Sequence, residues 1–150
     1  GRTDESFFIM ARTDSYASEG MEGAIDRCKE YIEAGADGLF LEAVSSLEDY
    51  KQLKDALHVP VLANITEFGK TPLFTAEELA SVGVDIMLFP LSAFRAMNKA
   101  AEYVYQDIIT NGSQANSVDK MQTRDELYKY LNYHSYEKNL DELYENKGNG

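Results

Sequence analysis

The stretch FFIMARTD, residues 7–14, runs apolar without a break from Phe7 to Ala11 and closes on Arg12, Thr13 and Asp14. So continuous a run, with no polar residue at alternate positions, predicts a strand covered on both faces, as in a parallel sheet flanked by helices. Three more stretches follow the same plan: GLFLEA at 38–43, PVLANITEFG at 60–69 and DIMLFPLSAFR at 85–95, each passing from a β-prone core into polar residues ahead of a helical pattern. They recur roughly every 25–30 residues, the length of one βα unit with short loops. The carboxyl ends of parallel strands share one face, and ligands bind there. Arg12, Glu42, Asn64, Thr66 and Arg95 are therefore expected around a single pocket.

The connecting segments read as helices. Met21, Ala24, Ile25, Cys28 and Ile32 recur at three- and four-residue steps, and Gly35 stands where a helix C-terminal glycine belongs. Gly35-Ala36-Asp37 and Gly83-Val84-Asp85 look like copies of one αβ turn. Leu47, Tyr50, Leu53 and Leu57 form a second stripe, and Thr75 with Glu78 reads as a capping box. Phe94, Met97, Ala101, Val104 and Ile108 give a long fourth helix closing near Gly112. These units, residues 1–112, are separated from a tail, residues 113–150. The tail opens on a polar linker at 113–117, continues as a helical stretch with a break around 132–135, and ends in a short helix and a frayed Gly148-Asn149-Gly150. It carries Tyr128, Tyr130, Tyr133, Tyr136 and Tyr144, the kind of amphipathic segment that covers another surface of an assembly.

Composition narrows the function classes. A net charge of -12 opposes nucleic acid and anionic membranes as partners, since both attract basic surfaces. One cysteine permits neither an internal disulfide nor a zinc cluster and fits a reducing cytoplasm. No apolar run approaches the roughly 20 residues of a membrane span, and no signal-peptide pattern is expected. A chain of 150 residues also falls well short of the about 250 of a complete (β/α)8 barrel.

Among the candidates for chemistry, Arg12 is a costly charge at a strand end unless it meets an anion, with a structural pair to Asp14 or Glu42 as the alternative. Glu42 could contact a substrate or orient Arg12. In Asn64-Ile65-Thr66-Glu67, Asn64 and Thr66 fall on the same side of an extended segment, although a turn role suits Asn equally. Arg95 lies in the first turn of the fourth helix, where anions are favoured. Cys28 belongs to an apolar helix face, which predicts packing and not nucleophilic chemistry. His58 and His134 show no triad or metal pattern. No P-loop or GxGxxG fingerprint occurs, and no metal site is complete within the chain.

FFIMARTD, LFLEA, PVLANITEFGKTPLF, PLSAFRAMNKAAE and MQTRDELY together resemble, in order, the C-terminal half of the 2-methylisocitrate lyase family, within the isocitrate lyase/phosphoenolpyruvate mutase superfamily. ANITEFGKTP is the most specific of these segments. The resemblance implies a (β/α)8 TIM-type barrel, of which this chain would supply strands five to eight with their helices and a C-terminal helical tail. It implies cleavage of 2-methylisocitrate to pyruvate and succinate in propionate breakdown (the 2-methylcitrate cycle), with Mg2+ held by ligands in the other half of the barrel. It also implies a small di- or tricarboxylate substrate and a homotetramer that exchanges its last barrel helix. Arg12 resembles the arginine that steadies the pyruvate portion and its enolate charge, and is the catalytic candidate. Glu42 resembles a substrate-contacting carboxylate, and Asn64, Ile65 and Thr66 the segment gripping a substrate carboxylate. Arg95 and Arg124 resemble substrate-binding arginines. The family's metal-binding aspartates and cysteine loop have no counterpart here, so this polypeptide alone is expected to be inactive. A related enzyme such as an oxaloacetate decarboxylase, or a non-catalytic half-barrel assembly module, are the alternatives.

Overall fold

A computed structural model describes residues 2–147, with side chains described through residue 144. The final Gly148-Asn149-Gly150, expected to fray, lies outside the described residues. The chain forms two compact units, residues 1–96 and 97–150. The first alternates β1 (Met10–Thr13), α1 (Tyr16–Glu33), β2 (Gly38–Leu41), α2 (Leu47–Ala56), β3 (Val61–Asn64), α3 (Ala76–Ser81) and β4 (Ile86–Leu88), and α4 (Ser92–Asn111) runs from it into the second. The four strands pair in parallel in the order β1-β2-β3-β4, the sequential order of a singly wound sheet rather than the reversed order of a doubly wound one.

Pairing begins later than the apolar run suggested. Asp4 accepts the N–H and the hydroxyl of Ser6 and, through its carbonyl, the N–H of Phe7. This local turn keeps Phe7 and Phe8 out of the sheet, and both are exposed. Strand cover is likewise one-sided. Ala24, Ile25 and Cys28 of α1, Tyr50 and Leu53 of α2, Leu57 just past it, and Leu79 of α3 pack on one face of the sheet, against Leu39, Leu41, Val61, Ala63 and Ile65. The opposite face carries the row Arg12, Phe40, Leu62 and Ile86, neighbours in the strand register, with Asn64 beside Leu88. Ile86 and Leu88 are 40% and 38% exposed, because no helix of the first unit packs there.

The two αβ turns are the same device. Gly35 and Gly83 take left-handed backbone at φ 103° and 85°, as the chain reverses out of each helix. Two residues on, Asp37 accepts the Ile9 N–H and Asp85 the Val61 N–H, both at 2.8 Å, joining each turn to the preceding strand. Arg2 and Lys54 pair with the same carboxylates. The capping box at Thr75 and Glu78 is present as expected.

In the second unit, the stretch expected as a polar linker is folded. Asp107 is buried and accepts from Asn111 (2.7 Å), Asn116 (3.1 Å) and Ser117 (2.8 Å), which draws residues 115–120 into a 3-10 turn. The Ser117 hydroxyl, then Asn111, holds that carboxyl below its ordinary range. The expected break at 132–135 narrows to Asn132, whose left-handed backbone ends α5 (Arg124–Leu131). Next comes α6 (Tyr133–Lys147), 15 residues long rather than short. Tyr128 and Tyr133 stack across this junction at 4.2 Å, so both helices can continue to within one residue of each other. Among the described residues, no helix is long and apolar enough to cross a membrane.

Candidate active site

Strand polarity carries Arg12, Glu42, Asn64 and Thr66 to the carboxyl ends of β1, β2 and β3, and β-alternation puts all four on the face that the first unit's helices leave bare. Arg12 lies within β1, one residue short of its end. Its guanidinium sits 4.8 Å over the Phe40 ring, Nε donates to Asp14 Oδ1 at 3.0 Å, and Nη2 lies 3.3 Å from Glu42 Oε2. Both structural partners foreseen for Arg12 are therefore engaged. About half of the side chain is nonetheless exposed, leaving the charge open to an anion. The Glu42 N–H donates to the Thr13 carbonyl and Ala43 takes φ 60°, so the chain turns sharply just beyond the carboxylate. The phenol of Tyr50, fully buried in the core, is pushed up by burial and, secondarily, by the Glu42 charge.

At the end of β3 the alternation separates the quartet. Asn64 and Thr66 face the bare side. Ile65 faces the core at 3% exposure, and its N–H donates to the Leu88 carbonyl. The Ile65 side chain is thus packing, and its carbonyl alone remains for a ligand. Glu42 Oε2, Asn64 Oδ1, Thr66 Oγ1 and Glu67 Oε2 are all buried atoms without a hydrogen-bond partner. The two glutamate oxygens among them stand beside the guanidinium groups of Arg12 and Arg95, at 3.3 and 3.8 Å, while Asn64 Oδ1 and Thr66 Oγ1 have no such neighbour.

Arg95 stands in the first turn of α4, its N–H donating to the Leu91 carbonyl. Its Nε is 3.8 Å from Glu67 Oε2, and its guanidinium lies 5.2 Å over the ring of Phe68, a residue in left-handed backbone at φ 64°. Ser92 donates a hydrogen bond to the other oxygen of Glu67. Glu67 was named in sequence only as the last residue of the Asn64–Glu67 quartet, and neither it nor Phe68 or Ser92 was given a role. The ITEF segment that puts Glu67 and Phe68 next to Thr66 is the one local signal for these two, and nothing local points to Ser92. Arg124 opens α5 of the second unit, exposed, next to the N-cap Thr123.

Cys28 is fully buried, and burial pushes its thiol up to about 11, as an inert packing cysteine requires. A cleft of about 400 Å3 lined by Arg2, Thr3, Asp4, Phe7 and Ile9 lies at the amino ends of the strands and holds none of the candidate residues.

The family model for phosphoenolpyruvate phosphomutase matches residues 1–109. The chain belongs to the phosphoenolpyruvate phosphomutase family. Within that family it is similar to the 2-methylisocitrate lyase of Salmonella typhimurium, at 57% identity over 146 residues, covering 97% of this chain and 50% of that protein. A crystal structure of 2,3-dimethylmalate lyase superposes with a TM-score of 0.79 at 29% identity, over 91% of this chain and 48% of that one. Oxaloacetate acetylhydrolase in complex with oxalate gives 0.78 at 26% identity, over 91% and 47%. The chain spans about half the length of the curated relatives it matches. Its parallel α/β sheet is thus similar to about half of the fold of this family's enzymes.

Proposed function

We propose that this chain is the carboxyl-terminal half of a lyase that cleaves 2-methylisocitrate to pyruvate and succinate. In this reading residues 1–112 supply strands five to eight of a (β/α)8 barrel, and residues 113–150 a tail packing on the barrel or a neighbouring subunit. The observation that carries it is the row of Arg12, Glu42, Asn64 and Thr66 along one uncovered sheet face, with buried acceptors lacking partners. The 57% identity to a 2-methylisocitrate lyase supports the substrate.

In this scheme Arg12, braced by Asp14, Glu42 and Phe40, stabilises the negative charge that develops on the pyruvate-derived enolate as the carbon–carbon bond breaks. Asn64, Thr66, Arg95 and Arg124 bind carboxylate and hydroxyl groups of the substrate. A tricarboxylate needs several such donors, while Glu42 and the Asn64 carbonyl oxygen accept from its hydroxyl. Mg2+ is part of the same reading, with its ligands supplied by the other half of the barrel, where it would polarise the substrate oxygens and help carry the enolate charge. The complete enzyme is proposed to be a cytoplasmic homotetramer with an exchanged helix.

The test is product analysis on the complete polypeptide that contains this chain. Pyruvate and succinate should appear in equal amounts from 2-methylisocitrate. The likeness to oxaloacetate acetylhydrolase favours a second reading, an enzyme acting on oxaloacetate such as a decarboxylase. Turnover of oxaloacetate with 2-methylisocitrate left intact would establish that reading and remove the first.

A further inference from the structure

Glu67 has two oxygens with different fates. One accepts from Ser92 and so joins the loop after β3 to the start of α4. A simple tether needs nothing more. The other, Oε2, is buried, has no hydrogen-bond partner and faces Arg95 Nε at 3.8 Å. A desolvated carboxylate oxygen in that position is tolerable only beside a positive charge. The next residue adds a second constraint on the same guanidinium. A tight turn, in which the Gly69 N–H meets the Thr66 carbonyl and a Cβ on Gly69 would lie 3.3 Å from that carbonyl, throws Phe68 into left-handed backbone. Phe68 is 92% exposed, and the Arg95 guanidinium lies 5.2 Å from the centre of its ring. The guanidinium beside it gives that exposed ring a cation–π contact, which in turn limits the directions Arg95 can take.

Together these contacts occupy one edge and one face of Arg95. Among the described residues its terminal nitrogens donate no side-chain hydrogen bond, so the fork that binds a carboxylate in bidentate fashion stays available. We infer that Glu67 is a positioning residue: through its second oxygen, and with Phe68 beneath, it aims the Arg95 fork at a substrate carboxylate. The inference rests on the carboxylate-binding reading of Arg95 above. It adds a residue outside the substrate contacts and explains why an acidic side chain stands inside an anion-binding site.

A double-mutant cycle on the complete polypeptide tests it, with succinate as the probe, calorimetry for Kd and circular dichroism as the check on folding. Glu67→Ala should weaken succinate about tenfold, the scale of a charge-assisted contact, yet change it less than about twofold when Arg95→Ala is already present. In turnover, KM should rise with kcat nearly unchanged. If Glu67→Ala does not fold, Glu67→Gln carries the same cycle, since it keeps an acceptor for Ser92 and removes the charge facing Arg95. Equal losses in both backgrounds, or unchanged succinate binding in the Glu67 variant, would overturn the inference. Coupled losses in a protein that leaves 2-methylisocitrate uncleaved would remove the proposed activity and leave the positioning role standing. Cleavage with additive losses would do the reverse, and Arg95→Ala without effect on succinate would remove both.

Discussion

Arg12 is held from three sides, by Asp14, Glu42 and the Phe40 ring, and only a planar guanidinium can satisfy all three at once. Arg12→Lys keeps the charge but loses the fork and the stacking. Turnover of the complete enzyme should fall on the order of a hundredfold, with near-wild-type rates contradicting the role. Cys28 gives the opposite expectation. Its thiol is sealed between α1 and the sheet, so Cys28→Ala should cost less than tenfold in rate and destabilise by about 1–2 kcal/mol, readable as a lowered denaturation midpoint. A loss of several thousandfold with folding intact would show that the thiol takes part in chemistry. Arg12 and Glu42 were legible in sequence because a charge following an apolar strand has few places to go. The Phe40 stack was not legible, because it depends on the register Arg12↔Phe40, and register is a property of two strands together. Glu67 was named but given no role for a related reason: its partner Ser92 lies across the end of the next strand, and nothing local predicts which carboxylate oxygen will be left without a donor.

Among the elements, the paired αβ turns make the sharpest prediction. Asp37 is lowered below its ordinary value chiefly by the Ile9 N–H, with help from Arg2. Asp85 is lowered as well: burial opposes this, and Lys54 and the Val61 N–H outweigh it. A carboxyl lowered in the folded state stabilises above its unfolded pKa of about 4 and loses that contribution as the pH falls through the folded value. The melting temperature of the complete protein should therefore drop from about pH 4 downward, and an Asp37→Asn, Asp85→Asn double variant should melt lower at neutral pH with a shallower acid slope. An unchanged slope would mean that the stabilisation resides elsewhere. Gly83→Ala forces a methyl group onto φ 85°, 3.5 Å from Lys54 Cε, and should destabilise by roughly 1 kcal/mol or more by the same measurement. The turns, the capping box and α1–α4 were readable because each has a local sequence signature. The 3-10 turn at 115–120 and the length of α6 were not. The first depends on Asp107, a helix away, collecting three side-chain donors, and the second on Asn132 adopting a left-handed conformation that lets a new helix begin immediately.

For the molecule as a whole, the first unit is a layered structure missing a layer. Helices cover one face of the sheet, while Ile86, Leu88 and the aromatic side of Phe40 are left on the other, and β1 and β4 each present an edge that pairs with no strand among the described residues. Bare apolar faces and open edges favour association. The isolated 16.9 kDa chain should sediment as an oligomer or aggregate, or remain partly molten, and a sharp monomer with cooperative unfolding would disprove the half-barrel reading. The parallel sheet and its order were evident from the spacing of four runs. That one face would stay open was not, because an unbroken apolar run looks the same whether its second cover comes from the same polypeptide or from elsewhere. The open face also holds Arg12, Glu42, Asn64 and Thr66, so whatever closes the sheet also closes the site. In the half-barrel reading, substrate affinity and the cohesion of the two halves are one thermodynamic quantity seen from two ends. A dicarboxylate that binds only the closed form must strengthen the junction by RT ln(1 + [L]/Kd), so the enzyme would be mechanically firmest while it is working and easiest to pull apart when starved.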